Sequence, residues 1–126
     1  MTYLEKWFDF NRRQVELEAI LEQTIADQSD QSLTLKEFYL LHFLNQAQEK
    51  SLRQIDLPDK LHLSPSAVSR MVARLEEKNC GLLSRRCCDQ DKRASFICLT
   101  SEGQTTLAYL QKAVEESLET KASWLS

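Results

Sequence analysis

The sequence predicts a mainly α-helical fold that carries one small β-hairpin. Only two Gly and two Pro occur in 126 residues, and so few chain-breaking residues favour long helices. Apolar residues recur at three- and four-residue steps through most of the chain, which is the spacing of an amphipathic helix. Near residue 95 this pattern gives way to residues with strand propensity. A chain of this length buries one modest core, so we expect a single domain over 1–126.

Both ends of the chain predict amphipathic helices. The first helix spans about 3–27, and the last follows Thr100, which can cap it. Their apolar residues are Leu4, Trp7, Phe8, Val15, Leu17, Ile20, Leu21 and Ile25 in the first helix, and Leu107, Leu110, Val114 and Leu118 in the last. Because apolar stripes need burial, we expect a second copy of the chain to cover them.

A second helix is predicted after the polar stretch 27–32. Thr34 can cap this helix, and Glu37 can close a capping box three residues later. The helix ends near Gln46. Its inward-facing residues are expected to be Phe38, Leu41 and either Leu44 or Phe43.

Two short helices are predicted in the middle of the chain. Proline is tolerated in the first turn of a helix, so Pro58 indicates a helix that begins near Asp56, after a short turn over 51–54. Ser64 and Pro65 mark the start of the next helix as its N-cap and first helical residue. The apolar face of that helix consists of Val68, Met71, Val72 and Leu75, and the helix is expected to continue to Lys78.

A β-hairpin is predicted after Gly81, a residue that can end the preceding helix. Its strands cover 82–87 and 94–99, and a turn over 89–92 joins them. A hairpin too short to form its own core is useful if its tip contacts another molecule. Together, the two short helices and the hairpin predict a winged helix-turn-helix.

The charge distribution favours a nucleic-acid partner despite a net charge of −3. Residues 50–93 hold ten Lys or Arg and six Asp or Glu, a balance of +4, whereas the rest of the chain has a balance of −7. A basic middle between acidic flanks is typical of a nucleic-acid surface on an otherwise acidic protein. Uneven solvated charge would explain the distribution almost as well by itself.

The start of the second short helix carries side chains suited to the major groove of DNA. These residues are Ser64, Ser66, Ala67, Ser69 and Arg70. Small side chains let the backbone approach DNA closely, and Arg70 is long enough to bond the acceptors of a guanine. Arg74 lies one turn further along and extends the basic face.

The hairpin adds a second group of basic residues. Its tip is expected over 89–93 and contains Lys92 and Arg93, and Arg85 and Arg86 flank this tip. Arg93 can enter a minor groove, where negative potential is concentrated, and Asp91 can orient its guanidinium. The alternative is that these charges only keep the hairpin soluble.

At this point the sequence resembles the MarR family of bacterial transcription regulators. The resemblance runs through 57–75, continues in Gly81-Leu82-Leu83-Ser84-Arg85, and closes with Asp91-Lys92-Arg93 and Leu99-Thr100-Ser101-Glu102-Gly103. It implies a homodimer in which helices within 1–30 and 101–126 intertwine, and a DNA-binding lobe over 34–100. It also implies a repressor on a pseudo-palindromic operator, modulated by a small ligand. His62 stands where such turns usually have Gly, and His adopts positive φ at moderate cost.

Other functions are weaker on this sequence. A redox-responsive regulator would use Cys87 and Cys88, whose thiols lie beside arginines that lower a thiol pKa. Cys80 and Cys98 are expected to be half-buried small hydrophobes. A winged-helix module that binds another protein remains the alternative from a different class, although such a surface would more often expose aromatic residues.

Neither a metal, a cofactor nor an enzymatic activity is predicted. No His or Cys pair has metal-ligand spacing, and the chain has no glycine-rich phosphate loop. A cytoplasmic protein without a membrane segment is expected, with reduced thiols. An effector pocket could be lined by Trp7, Phe8, Phe38 and Tyr39, although each of them is more readily explained as core.

Overall fold

A computed structural model describes residues 1–29, 32–76, 81–88 and 91–125, with the backbone alone for 86–88 and 91–94. The helices are α1 (Tyr3–Gln28), α2 (Leu35–Gln46), α3 (Leu57–Leu61), α4 (Pro65–Leu75) and α5 (Ser101–Lys121). The strands are β1 (Ser51–Arg53), β2 (Leu83–Cys88) and β3 (Asp91–Leu99). The mainly α fold with a wing is therefore confirmed. In the described part of the chain, no helix is long and apolar enough to cross a membrane.

The chain forms two compact units. The first unit contains Met1–Leu35 and Leu110–Ser126, and the second contains Lys36–Tyr109. In the first unit, Thr2 caps α1 in a capping box with Glu5. The division into dimerisation helices and a DNA-binding lobe stays a prediction.

The core of the second unit combines helices and sheet. Its fully buried large side chains are Leu40, Leu41, Leu44, Leu57, Leu61, Leu75, Leu82, Leu83, Ile97 and Leu107. Leu44, and not Phe43, takes the inward position on α2. Burying a side chain of this size contributes about 1.5–3 kcal/mol, so α2, α3 and α4 are held by packing more than by helix propensity.

The sheet has three strands, where the sequence predicts only a hairpin. Its order is β1–β3–β2, and both pairings are antiparallel. A turn is predicted over 51–54, but residues 51–53 pair with β3 instead, and Leu52 lies opposite Ile97. The local sequence of a three-residue strand does not predict it, because the strand forms only by pairing with β3, which is distant in sequence. Asp91 and Lys92, which were expected in a turn over 89–92, belong to β3 instead.

The second helix of the helix-turn-helix, α4, ends at Leu75 and not at Lys78 as predicted. Glu76 is extended, with ψ of 162°, and it forms a parallel bridge with Leu83. The N–H groups of Gly81 and Leu82 bond to the carbonyl oxygens of Glu76 and Leu75, at 3.0 and 3.1 Å. Glu is a good helix former, so these hydrogen bonds and the bridge outweigh local helix propensity at Glu76.

Thr100 caps α5 as predicted. Its hydroxyl accepts a hydrogen bond from the N–H of Gly103 at 2.9 Å and donates one to the Gly81 carbonyl at 2.7 Å. A Cβ on Gly103 would lie 2.4 Å from the carbonyl oxygen of Leu82. The start of α5 is therefore locked against the segment that leads into β2.

Three residues of the predicted α5 stripe do not need the second copy that the sequence predicts for them. Leu107, Leu110 and Val114 are all buried within this chain. The stripe at the start of α1 is different, because Trp7 is 58% exposed and Phe8 is 59% exposed. These α1 side chains are therefore open to a partner.

Candidate nucleic-acid interface

The helix-turn-helix consists of α3, a tight turn and α4. Its turn is made by His62, which is left-handed with φ 55° and ψ 47°. The N–H of Leu63 bonds to the Pro58 carbonyl at 3.1 Å. The ammonium of Lys36 donates to the Leu61 carbonyl at 2.6 Å and so satisfies the C-terminal end of α3. A residue of α2, Lys36, therefore stabilises the turn at His62, where Gly is more usual.

The first turn of α4 is capped as the sequence predicts. Ser64 has extended backbone angles, and its hydroxyl accepts a hydrogen bond from the N–H of Ala67 at 3.1 Å. Pro65 occupies the first helical position. The Ser66 hydroxyl lies 3.2 Å from that of Ser64. The exposed N-terminus of α4 therefore presents two hydroxyl groups beside the positive end of a helix dipole.

The two faces of α4 differ sharply. Val68, Val72 and Leu75 are buried on one face, whereas Ser69 and Arg70 are exposed on the other. The Arg70 guanidinium has no hydrogen-bond or ion-pair partner among the described residues. A long cationic side chain held on a rigid helix and directed to solvent is suited to bonding base edges or phosphates.

Arg74, unlike Arg70, forms hydrogen bonds within the described part of the protein. Its Nε and Nη2 atoms donate to the two carboxylate oxygens of Glu37, at 2.8 and 2.6 Å. The Glu37 side chain is 4% exposed and that of Arg74 is 41% exposed. A two-point, charge-assisted bond of this kind fixes α4 on α2, so the structure gives Arg74 a role inside the lobe.

Arg85 is also bonded within the second unit. Its Nε donates to the Glu76 carboxylate, and its Nη1 donates to the Gln54 side-chain oxygen at 2.8 Å. The amide nitrogen of Gln54 in turn donates to the Ser69 hydroxyl at 3.2 Å. These four side chains connect the base of the hairpin to Ser69 on α4 and to Glu76, which follows the last residue of α4.

The other predicted site residues lie on the hairpin, where the backbone alone is described. Arg86 pairs with Phe96 in the β2–β3 ladder, and Cys88 pairs with Asp91 after an irregularity at Cys87. The side chains of Arg86, Cys87, Cys88, Asp91, Lys92 and Arg93 lie outside the described residues, as does all of Cys80. Cys98 is half-buried with a free thiol. Among the residues that the structure does describe, no group of three or more His, Cys, Asp or Glu could hold a metal ion.

Comparison with solved structures places the fold among winged-helix transcription regulators. Sco3205 from Streptomyces coelicolor, solved in complex with DNA, is 24% identical with a TM-score of 0.85, and the match covers 100% of this chain and 80% of that chain. AbsC from the same organism is also 24% identical, with a TM-score of 0.85 and coverage of 100% and 83%. MepR from Staphylococcus aureus, a regulator of a multidrug efflux pump, is 25% identical with a TM-score of 0.78 and coverage of 100% and 86%.

The model of the MarR family matches residues 33–95, which is half of the chain. The protein therefore belongs to the MarR family, whose members are transcription regulators and not enzymes. Comparison with curated protein sequences gives no significant match.

Sequence reasoning missed the roles of four residues that organise this surface: Lys36, Glu37 (predicted only to close a capping box), Gln54 and Glu76. One of them left a signal. Glu37 is four residues before Leu41 and seven before Leu44, so it lies on the buried face of α2. A carboxylate at a core position of a helix needs a cationic partner. The roles of Gln54 and Glu76 depend on tertiary approach and have no comparable pattern.

Proposed function

We propose that the protein is a sequence-specific regulator that binds double-stranded DNA as a homodimer, with α4 in the major groove. The observation that carries this proposal is the exposed Ser66, Ser69 and Arg70 surface on a helix whose opposite face is buried. A rigid helix with one polar, cationic face fits the width of the major groove. Membership of the MarR family and the fold shared with a DNA-bound relative support the same function.

Different residues of α4 are proposed for different contacts. The Ser64 and Ser66 hydroxyls lie at the helix N-terminus, where N–H groups and the helix dipole attract a phosphate. Ala67 and Ser69 allow close approach to the base edges. Arg70 would bond the two acceptors of a guanine, which is the most common specific contact made by arginine.

The hairpin is proposed to contact the DNA beside the major groove. The paired backbone of β2 and β3 extends from the buried Leu83 to Cys88 and Asp91. Arg86 and Lys92 would contact phosphates near the tip. Arg93, oriented by Asp91, would enter the minor groove, where a narrow groove strengthens the attraction of a guanidinium.

The start of α1 supports the homodimer. Its exposed apolar side chains are Tyr3, Leu4, Trp7, Phe8, Phe10 and Val15. A run of exposed apolar side chains on one helix indicates a partner surface, and a second copy gives a closed two-fold arrangement. Two-fold symmetry would place two copies of α4 on half-sites about one helical turn apart, on a pseudo-palindromic operator.

Repression, and its modulation by a small-molecule effector, complete the proposal and follow from the family resemblance. A protein bound at an operator excludes other proteins from the same DNA, so repression needs no further activity. The site of action would be the cytoplasm of a bacterium, where the chromosome is found.

Substitution of Arg70 tests the proposal. Arg70→Ala is expected to weaken binding to the operator by about 1–3 kcal/mol and to relax the preference at one base pair of each half-site. Lys112→Ala is a suitable control, because Lys112 is an exposed cation on α5 in the first unit. Fluorescence titration of a labelled operator measures both affinities. Equal affinities for the two variants would contradict the placement of α4.

A further inference from the structure

We propose that Arg85 is a positioning residue of the DNA interface and not a phosphate contact. Together with Gln54, Ser69 and Glu76 it forms a brace that fixes the base of the hairpin on α4. This inference rests on the proposed function, because the brace matters only if α4 and the hairpin contact the same DNA.

The hydrogen bonds of the brace join three separate parts of the chain. Glu76 follows the last residue of α4, Arg85 lies in β2, and Gln54 follows β1. The guanidinium of Arg85 donates to both Glu76 and Gln54. Gln54 uses both ends of its amide, because its oxygen accepts from Arg85 and its nitrogen donates to Ser69 at 3.2 Å. One arginine therefore holds two elements that are distant in sequence.

The brace contacts one point on α4 and one just beyond its end. Ser69 lies six residues before Leu75, the last residue of α4, which corresponds to about 9 Å along a helix axis, and Glu76 follows Leu75. Two contacts at this separation fix the orientation of the hairpin relative to the helix, whereas one contact would fix only a distance. The backbone bridge between Glu76 and Leu83 supports the same end of the hairpin.

Orientation at the base determines where the tip of the hairpin lies. Three residues separate Arg85 from Cys88, so the described part of β2 extends about 10 Å beyond the brace. A rotation of about 10° at the base would move that end by about 2 Å. A shift of about 2 Å is too large for a hydrogen bond to DNA, because such a bond tolerates only much smaller displacements. A fixed base therefore lets α4 and the hairpin contact the major and minor grooves in one register.

Removal of the Glu76 carboxylate should change the affinity for DNA in opposite directions under the two possible roles of Arg85. Glu76 is a carboxylate on the surface proposed to face phosphates, and its side chain is 23% exposed. If Arg85 were a phosphate contact, Glu76 would compete with DNA for it, and removal of Glu76 would strengthen binding. If Arg85 positions the hairpin through Glu76, removal of Glu76 weakens binding although the protein becomes more positive. The two roles therefore predict opposite outcomes.

The substitutions are expected to leave the fold intact. Arg85 is 42% exposed at its side chain, and ion pairs this open to water contribute little to folding stability. Circular dichroism and the elution volume of each variant check this directly. Asp59→Ala is the matched control, because it removes one exposed carboxylate from α3 in the same unit.

The experiment compares the full-length protein with Glu76→Ala, Gln54→Ala and Arg85→Ala on its operator at several salt concentrations. We expect each variant to bind about tenfold more weakly, with the same dependence on salt as the wild type. Asp59→Ala is expected to bind at least as tightly as the wild type. The charge-swapped pair Glu76→Arg with Arg85→Glu keeps the net charge and is expected to recover most of the lost affinity.

Three results would overturn the inference while the proposed function stands. The first is tighter or unchanged binding by Glu76→Ala. The second is a salt slope for Arg85→Ala that is smaller by about 0.9, which is the signature of one lost phosphate contact. The third is no recovery in the charge-swapped pair. A wild-type protein without any preference for a DNA sequence would instead overturn the proposed function, and this inference with it.

Discussion

Arg74→Ala is expected to destabilise the protein even though Arg74 is partly open to solvent. The substitution removes both hydrogen bonds from Arg74 to the Glu37 carboxylate, at 2.8 and 2.6 Å, and that carboxylate is almost fully buried. Loss of one partner from a buried ion pair costs about 3–5 kcal/mol. Because the Arg74 side chain is 41% exposed, water can partly replace it, and we expect about 2–3 kcal/mol.

Urea unfolding followed by circular dichroism measures this loss. The variants should be compared at one protomer concentration, because the stability of a dimer depends on concentration. Arg70→Ala is the matched control: it removes the same side chain one turn earlier on α4, where it has no partner among the described residues. It is expected to change stability by less than about 0.5 kcal/mol.

A double substitution separates the ion pair from its packing. Glu37→Leu with Arg74→Met replaces the pair by apolar side chains of similar length, and it is expected to recover most of the stability lost in Arg74→Ala. If Arg74→Ala were as stable as Arg70→Ala, the ion pair would not hold α4 on α2, and the role assigned to Arg74 would be refuted.

Three further predictions concern the close approach of Gly103 to Leu82, the dimer and the tip of the hairpin. Gly103→Ala is expected to lower stability by more than about 2 kcal/mol, because the new Cβ would lie 2.4 Å from a backbone carbonyl oxygen; Gln104→Ala is the control, and equal unfolding midpoints would contradict the close approach. Trp7→Asp with Phe8→Asp places two charges on the exposed apolar face of α1 and is expected to raise the dimer dissociation constant by at least about tenfold, as measured by sedimentation equilibrium. An unchanged constant would exclude this face from the interface. Arg93→Ala is expected to weaken operator binding by about 1–3 kcal/mol with normal helicity, and unchanged affinity would show that the wing tip is not used.

Most of the fold could be predicted from the sequence because its signals are local. Ser64 followed by Pro65 gives the start of α4, and Thr100 gives the start of α5, since an N-cap depends on a few neighbouring residues. Helical periodicity gives α1 almost to the residue. Strand β1 and the early end of α4 could not be predicted, because both depend on pairing with segments distant in sequence.

The candidate site was predictable in position and less so in the role of each side chain. Composition and spacing indicate a cationic face on α4, where Arg70 is exposed and has no partner in the part of the chain that the structure describes. They could not distinguish Arg70 from Arg74 or Arg85, because all three are arginines on or near the same surface. Only the positions of Glu37 and Glu76 separate them, by giving two of the three a carboxylate partner.

Selection of binding sites from a pool of random-sequence duplexes tests the central claim most directly. The account predicts enrichment of an inverted repeat whose half-sites are about one helical turn apart. The selected duplex should then bind at least about a thousandfold more tightly than an unrelated duplex at physiological salt. A pool with no enriched sequence, bound as weakly as unrelated DNA, would contradict sequence-specific recognition by α4 and the wing.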